Sequence, residues 1–481
     1  MVEKQKRWLA LYLLCLGELM IVLDTTVVNV ALPSIREDLR FTESSLVWVI
    51  NAYMLTYGGF LLLGGRLGDL YGNRKLFLGG ITLFTLASVV CGVAGSQAVL
   101  VTARAIQGLG GAVVSAVALS LIINLFQEPE ERAKAMGFYG FVCAGGGSLG
   151  VLLGGALTDA LSWHWVFLVN VPIGIAVYAF CLGILPPDRG AAERPKLDVW
   201  GALTITSSLM LAVYGIVNGN EAGWGSRQTV GLLIGAVALL AAFLAIEAKV
   251  ASPLMPLRLW RVRSVSVSNV LGMLWAAAMF AWFFISALYM QIVLGYTPMQ
   301  VGLAFLPSNL IMAAFSLGLS AKMVMRFGLR LPIAAGLALA ALGLALFALS
   351  PVEGDFWVHV LPGMLLLGLG CGMALNPVIL AAMSEVAPTE SGLASGVVNT
   401  SFMMGGALGL AVLASLAGAR SEFLQAAGAA VPGALTAGYH AAFAVGALFA
   451  LIAAALAVLL PAKPTTSEGD PAWASQSSTG S

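Results

Sequence analysis

Fourteen apolar stretches of roughly 20 residues each, divided by short polar segments, fill most of the chain. An α-helix rises 1.5 Å per residue, so about 20 apolar residues match the ~30 Å hydrocarbon layer of a bilayer. The pattern predicts spanning helices at 8–32, 45–64, 76–95, 98–124, 137–157, 165–185, 199–219, 229–248, 266–293, 299–320, 331–350, 357–381, 392–417 and 440–461. Helices are the expected form because a lipid-facing backbone must satisfy its own hydrogen bonds. The first stretch follows Lys4, Lys6 and Arg7 as a signal peptide would, but it is too long, carries acids and has no A-x-A site. It reads as a retained first span. Residues 462–481 are polar and Ser/Thr-rich, and are expected to form a disordered tail.

An even number of spans puts both termini on one face. Loops on the N-terminal face hold 19 of the 24 Lys and Arg, loops on the other face hold four, and Arg104 falls inside a span. The positive-inside rule then predicts cytoplasmic termini and a multi-pass protein of the plasma membrane. Composition agrees with the membrane reading: 59% of residues are hydrophobic, 10% are charged, and the mean hydropathy is +0.94. The loops are too short for a soluble catalytic domain. No GxxxxGK[ST] phosphate loop, metal-ligand spacing or nucleophile–base constellation occurs, so no enzyme, cofactor or metal is expected. The five cysteines lie in apolar runs and read as small buried hydrophobes. Basic residues sit in loops at a membrane surface, which does not indicate nucleic-acid binding.

A repeat divides the chain. GRLGDLYGNR (65–74) follows span 2, and AKMVMRFGLR (321–330) follows span 10. Overlaid, Gly72 meets Gly328, Arg74 meets Arg330 and Arg66 meets Lys322, while Asp69 meets Met325. The expected organisation is therefore an N-terminal six-helix bundle (1–186), an inserted helix pair with its loops (187–258), a C-terminal six-helix bundle (259–461) and the tail.

Span 1 carries two carboxylates, Glu18 and Asp24, although a charge at the bilayer centre costs about 2.5–3.5 kcal/mol on insertion scales. At 100° per residue, Glu18, Thr25 and Asn29 lie within about 40° of one another, and Asp24 lies about 120° from Glu18. The two acids therefore address different neighbours. Asp24 is about 16 residues into span 1 and Arg104 about six into span 4, which runs the other way, so their depths match. An intramembrane arginine needs an anion, and Asp24 is the best candidate. Glu18 is expected to face a central cavity, with Thr25 and Asn29, as a titratable group. The bland alternative is a structural ion pair and a hydrogen-bonded buried acid.

Four separated motifs resemble the fourteen-helix drug:proton antiporters of the major facilitator superfamily. These are LDTTVVNVALP (23–33), the loop GRLGDLYGNR, RAIQG (104–108), and a span 5 glycine pattern of Gly137, Gly146, Gly150, Gly154 and Gly155, with Val151 where the family has proline. WHWVFLVNVPIG (163–174) and SGLASGVVNTSFMMGGALG (391–409) extend the likeness, which covers residues 8–461. The resemblance implies an all-α major facilitator fold of two six-helix bundles plus two inserted helices, with substrate bound near the midplane between the halves. It implies proton coupling through Asp24 and a gating loop built from Gly65, Asp69, Gly72 and Arg74. It also implies a leak-proof span 5 interface with the other bundle.

Span 9 is the most aromatic helix, and Trp282, Phe283 and Tyr289 are candidate substrate contacts beside the polar Asn309, Asn376 and Asn399 of later spans. The expected activity is proton-coupled export of lipophilic drugs or antibiotics, cationic ones included, by a monomer in the lipid bilayer. A proton-coupled carrier of a specific metabolite (amino acid, peptide or lipid) is the alternative, and a non-transporting membrane receptor a distant third.

Overall fold

A computed structural model describes residues 2–126, 128–185, 198–250, 253–315, 319–386 and 391–461. The expected tail, 462–481, lies outside the described residues. Described segments are helical almost throughout. In the first half these are α1 (Val2–Leu39), the single turn α2 (Glu43–Leu46), α3 (Trp48–Tyr71), α4 (Asn73–Gly92), α5 (Gln97–Leu125), α6 (Pro129–Ala160), the short α7 (Trp165–Leu168) and α8 (Asn170–Ile184). Next come α9 (Val199–Ala222) and α10 (Arg227–Glu247). The second half contains α11 (Arg263–Leu288), α12 (Pro298–Ala314), α13 (Ser320–Phe327), α14 (Arg330–Phe347), α15 (Leu361–Met383), α16 (Ser391–Ala426) and α17 (Val431–Leu456). Twelve described helical stretches are long and apolar enough to cross a membrane. Two shorter apolar helices, Leu149–Ala160 and Pro298–Ala314, make the set consistent with fourteen crossings.

Local chemistry sets the ends. Thr42 and Ser45 form a capping box at the start of α2, and Thr297 and Gln300 form another at α12. Ser96, Asp198 and Ser226 each accept a backbone N–H at the starts of α5, α9 and α10. The repeat is visible in the backbone. Gly72 ends α3 at φ 99° and Gly328 ends α13 at φ 75°, a region that favours glycine. Each returns its N–H to the carbonyl four residues earlier, Gly68 at 2.9 Å and Val324 at 2.8 Å.

Within the first half, α3 packs on α5, α4 on α5 and α8, and α1 on α6 and α8. In the second half, α11 packs on α16 and α17, and α14 on α15 and α17. The halves meet along two seams, α6 against α12 and α3 against α16. Small residues make both close: Gly58 lies on Met403 and Thr400, and Gly302 lies on the Val151 carbonyl. The inserted α9 rests on both α3 and α16, covering that second seam from outside. Its Thr206 sits against Gly59, and the Asn220 amide donates to the Ser415 carbonyl at 2.7 Å. α10 packs on α9 and exposes Ile234, Val237 and Leu240, an apolar face suited to lipid.

Candidate functional site

Asp24 sits at the centre of a buried polar network in the first half. It is 1% exposed, as is Arg104 of α5, and the Arg104 Nη1 donates to Asp24 Oδ2. Oδ1 accepts two further bonds, from Gln107 Nε2 at 2.7 Å and from Asn170 Nδ2 of α8 at 3.0 Å. Arg104 spends its other protons locally, on Gln107 Oε1 at 2.7 Å and on the Val49 carbonyl of α3 at 2.9 Å. Gln107 also donates to Ser88 Oγ of α4 at 2.8 Å, and Ser88 donates to the Phe84 carbonyl at 2.8 Å. The guanidinium lies 4.4 Å from the Tyr53 ring centre and 5.5 Å from that of Phe167, within cation–π range. A buried ion pair is tolerable when the remaining lone pairs and protons are satisfied, and here several neighbours do so. One carboxylate thus ties α1 to α4, α5 and α8, and through Val49 to α3.

Glu18 faces another way, as its helical angle requires. Its Oε1 accepts from Ser115 of α5 at 3.0 Å, and Tyr139 of α6 stands close enough to interact. Glu18 is 5% exposed, so it is closed off in this state and does not stand open to a central cavity. The reason is that α1, α5 and α6 meet over it. Its stripe is polar but inward-bonded: Thr25 donates to the Val22 carbonyl at 2.8 Å, and Asn29 to that of Thr25 at 3.1 Å.

The α6 glycines correct one expectation. Gly146 meets Leu19 and Val22, Gly150 meets Thr26 and the Leu23 carbonyl, and Gly154 meets the Val27 backbone. All three line the contact with α1, in the same half, because spacing by four keeps them on one helical face. Gly155 is one residue round, and it meets Pro298 and Met299 of α12. The seam with the other half therefore uses Gly155 and the Val151–Gly302 approach. Gly137 lies within α6, and its surroundings are outside what the structure describes.

In the loop motif, Gly72 makes the turn, and the half-buried Gly65 stands near Ala116 of α5. Arg74 donates to the Leu182 carbonyl at the end of α8, and Arg330 to the Leu460 carbonyl past the end of α17. Each arginine of the repeat thus braces the last helix of its own half. Arg66 reaches the Pro253 carbonyl, in the connection towards α11, at 2.9 Å. The side chain of Asp69 lies outside the described residues.

The proposed substrate contacts are dispersed. Trp282 and Phe283 are buried against Phe305 of α12, with ring centres 5.8 and 5.3 Å away. Tyr289 is buried and donates to the Pro351 carbonyl at 2.7 Å, which pins it to a loop instead of a cavity. Asn309 is buried on α12, while Asn376 and Asn399 are half-buried on α15 and α16. A groove of about 500 Å³ lined by Leu86, Val90, Val99 and Ile106 lies on the exposed apolar face of α4 and α5, away from these residues.

Residues 14–410 match the model of the Major Facilitator Superfamily. The chain belongs to that superfamily. Among its major facilitator relatives is the cephamycin export protein CmcT of Amycolatopsis lactamdurans, 39% identical over 465 residues, covering 96% of this chain and 93% of that protein. The puromycin resistance protein pur8 of Streptomyces alboniger is 39% identical over 465 residues, covering 95% and 91%. The lincomycin resistance protein of Streptomyces lincolnensis is 35% identical over 421 residues, covering 86% and 85%.

In this major facilitator protein the sequence reading missed Gln107, Asn170, Ser88 and Ser115. Two had a usable signal. Gln107 stands three residues after Arg104 in RAIQG, on the same helical face, and Asn170 is the one amide in WHWVFLVNVPIG. Ser88 and Ser115 sit in runs with several other small residues, and nothing local marks them.

Proposed function

We propose that this protein is a proton-coupled antiporter that exports lipophilic compounds, antibiotics among them, across the plasma membrane by alternating access. The observation that carries the reading is the pair of buried carboxylates on α1, one held by Arg104 and one by Ser115. Acids inside a membrane protein are costly, and a proton path is the use that repays them. The names of the relatives, a cephamycin export protein and puromycin and lincomycin resistance proteins, favour a drug-sized organic cargo. The excess of Lys and Arg in the loops on the N-terminal face favours cytoplasmic termini. The membrane potential then contributes about 2.3 kcal/mol per proton charge per 100 mV.

In this cycle Asp24 or Glu18 takes a proton from outside, the halves rock, and the proton leaves to the cytoplasm while cargo moves outward. The test uses inverted membrane vesicles with an imposed pH gradient and a panel of fluorescent cations, neutral dyes, puromycin, lincomycin and a cephamycin. Uptake that follows the gradient and collapses with an ionophore is expected for at least one lipophilic compound. Gradient-independent movement, or acceptance of a polar metabolite only, contradicts it.

A further inference from the structure

Among the described residues, two side-chain amides cross between the halves, and they do so in opposite directions. Asn51, near the start of α3, donates its Nδ2 to the Ala407 carbonyl of α16 at 2.9 Å. Gln291, just past the end of α11, donates its Nε2 to the Val30 carbonyl of α1 at 2.9 Å. Both lie towards the face opposite the N-terminus, because α3 starts there and α1 and α11 run towards it. The first half thus grips the second at one seam, and the second grips the first at the other side.

The surroundings fit a grip that opens. Asn51 is fully buried, and its Oδ1 has no hydrogen-bond partner among the described residues. A buried amide with one end unsatisfied is uncommon in folded proteins and asks for a reason. The acceptors are main-chain carbonyls, whose second lone pair is free even inside a helix. Gly406 leaves α16 without a side chain beside Ala407, where a Cβ would come within 2.8 Å of Met54, one turn from Asn51, while Gly405 and Gly409 face Met273 and Ala277 of α11. Neither bond involves a charge, so breaking one leaves no ion stranded in lipid or protein.

We infer that Asn51 and Gln291 are a reciprocal latch, two positioning residues that hold the outer face closed and set how often it opens. This rests on the proposed alternating-access reading and its orientation. The latch has a readout that needs neither cargo nor proton gradient. Val151 is fully buried where its backbone meets Gly302 across the other seam, so a cysteine there is shielded while the outer face is shut. Val151→Cys is placed in a chain whose five native cysteines are replaced by alanine, and a membrane-impermeant maleimide is added outside intact cells.

Asn51→Leu and Gln291→Met keep size and remove the donor. Each is expected to raise the labelling rate about three- to tenfold, the range one net hydrogen bond supports, and the double variant more than either. Gln291 is only half-buried, so Gln291→Met keeps the test open if Asn51→Leu fails to reach the membrane. Unchanged labelling in both folded variants overturns the latch even if vesicles transport normally. Faster labelling in a protein that transports nothing supports the latch and counts against the exporter reading alone.

Discussion

Taking the charge from Asp24 while keeping its shape probes the network most directly. In Asp24→Asn, the Arg104 guanidinium keeps Gln107 Oε1 and the Val49 carbonyl but loses its anion at a position 1% exposed. Removing one partner of a buried pair costs about 3–5 kcal/mol. The surviving bonds offset none of this, because the parent protein already makes them. Asparagine can still accept from Gln107 and Asn170, which puts the expected loss near the lower end, about 3 kcal/mol. Asp24→Asn combined with Arg104→Gln removes both charges and should recover about 2 kcal/mol of that loss, a coupling a double-mutant cycle resolves. Unfolding of the purified protein in detergent, followed by tryptophan fluorescence, gives the stabilities, and vesicle uptake gives the activity. If Asp24 carries the coupled proton, transport should be absent in the single and the double variant, because the double restores fold without restoring the acid at position 24. A single variant as stable as the parent, or a double variant no better than the worse single, would refute the reasoning.

Glu18→Gln should leave stability near that of the parent, since the amide oxygen still accepts from Ser115, while slowing gradient-driven efflux of cationic and neutral dyes alike at matched expression. Unchanged efflux would remove Glu18 from the proton path. Gly154→Val should separate α1 from α6, because a Cβ there would stand 2.6 Å from the Val27 carbonyl, which is backbone and cannot yield. The expected destabilisation is about 1–3 kcal/mol by denaturation in detergent, and none would contradict the packing. Gly59→Leu should push α9 off α3, where Thr206 already fills the space, yet leave vesicle transport running because α9 lies outside the seam. Loss of transport with the protein intact would place α9 in the cycle itself.

Much of the helix pattern was legible because bilayer thickness imposes one length scale on the sequence. The turn at Gly72 and its echo at Gly328 were legible because a positive φ leaves glycine as the favoured residue. The Asp24–Arg104 pairing was legible for a different reason: charges are so rare in these spans that depth alone nearly pairs them. What stayed hidden was whatever depended on rotation about a helix axis against an unknown neighbour. The α6 glycines announce a close approach but not its partner, and α1 takes that place instead of the second half. Glu18 announces a polar face but not that α5 and α6 meet over it. Tyr289 belongs to an aromatic run whose members look alike in sequence, and only the fold separates those packed on α12 from the one bonded to Pro351.

The two carboxylates of α1 end up with unequal reach. Glu18 touches a serine of α5 beside a tyrosine of α6, so its contacts stay within local packing. Asp24 acts further, through a short covalent and hydrogen-bonded chain. Arg104, which it anchors, also holds the Val49 carbonyl, and two residues on along α3 the Asn51 amide holds the Ala407 carbonyl of the other half. Coupling between distant sites needs a contiguous physical route and an element with two arrangements. Here the route is three residues of α3, and the element is the seam that Asn51 closes. In the proposed cycle, loss of the charge on Asp24 would free the guanidinium from its anion and let Val49 and Asn51 shift together. Asp24→Asn should therefore speed labelling of Val151→Cys from outside, as Asn51→Leu does, and adding Asn51→Leu to it should bring little more. Independent, fully multiplying effects would mean that acid and latch are not joined through α3.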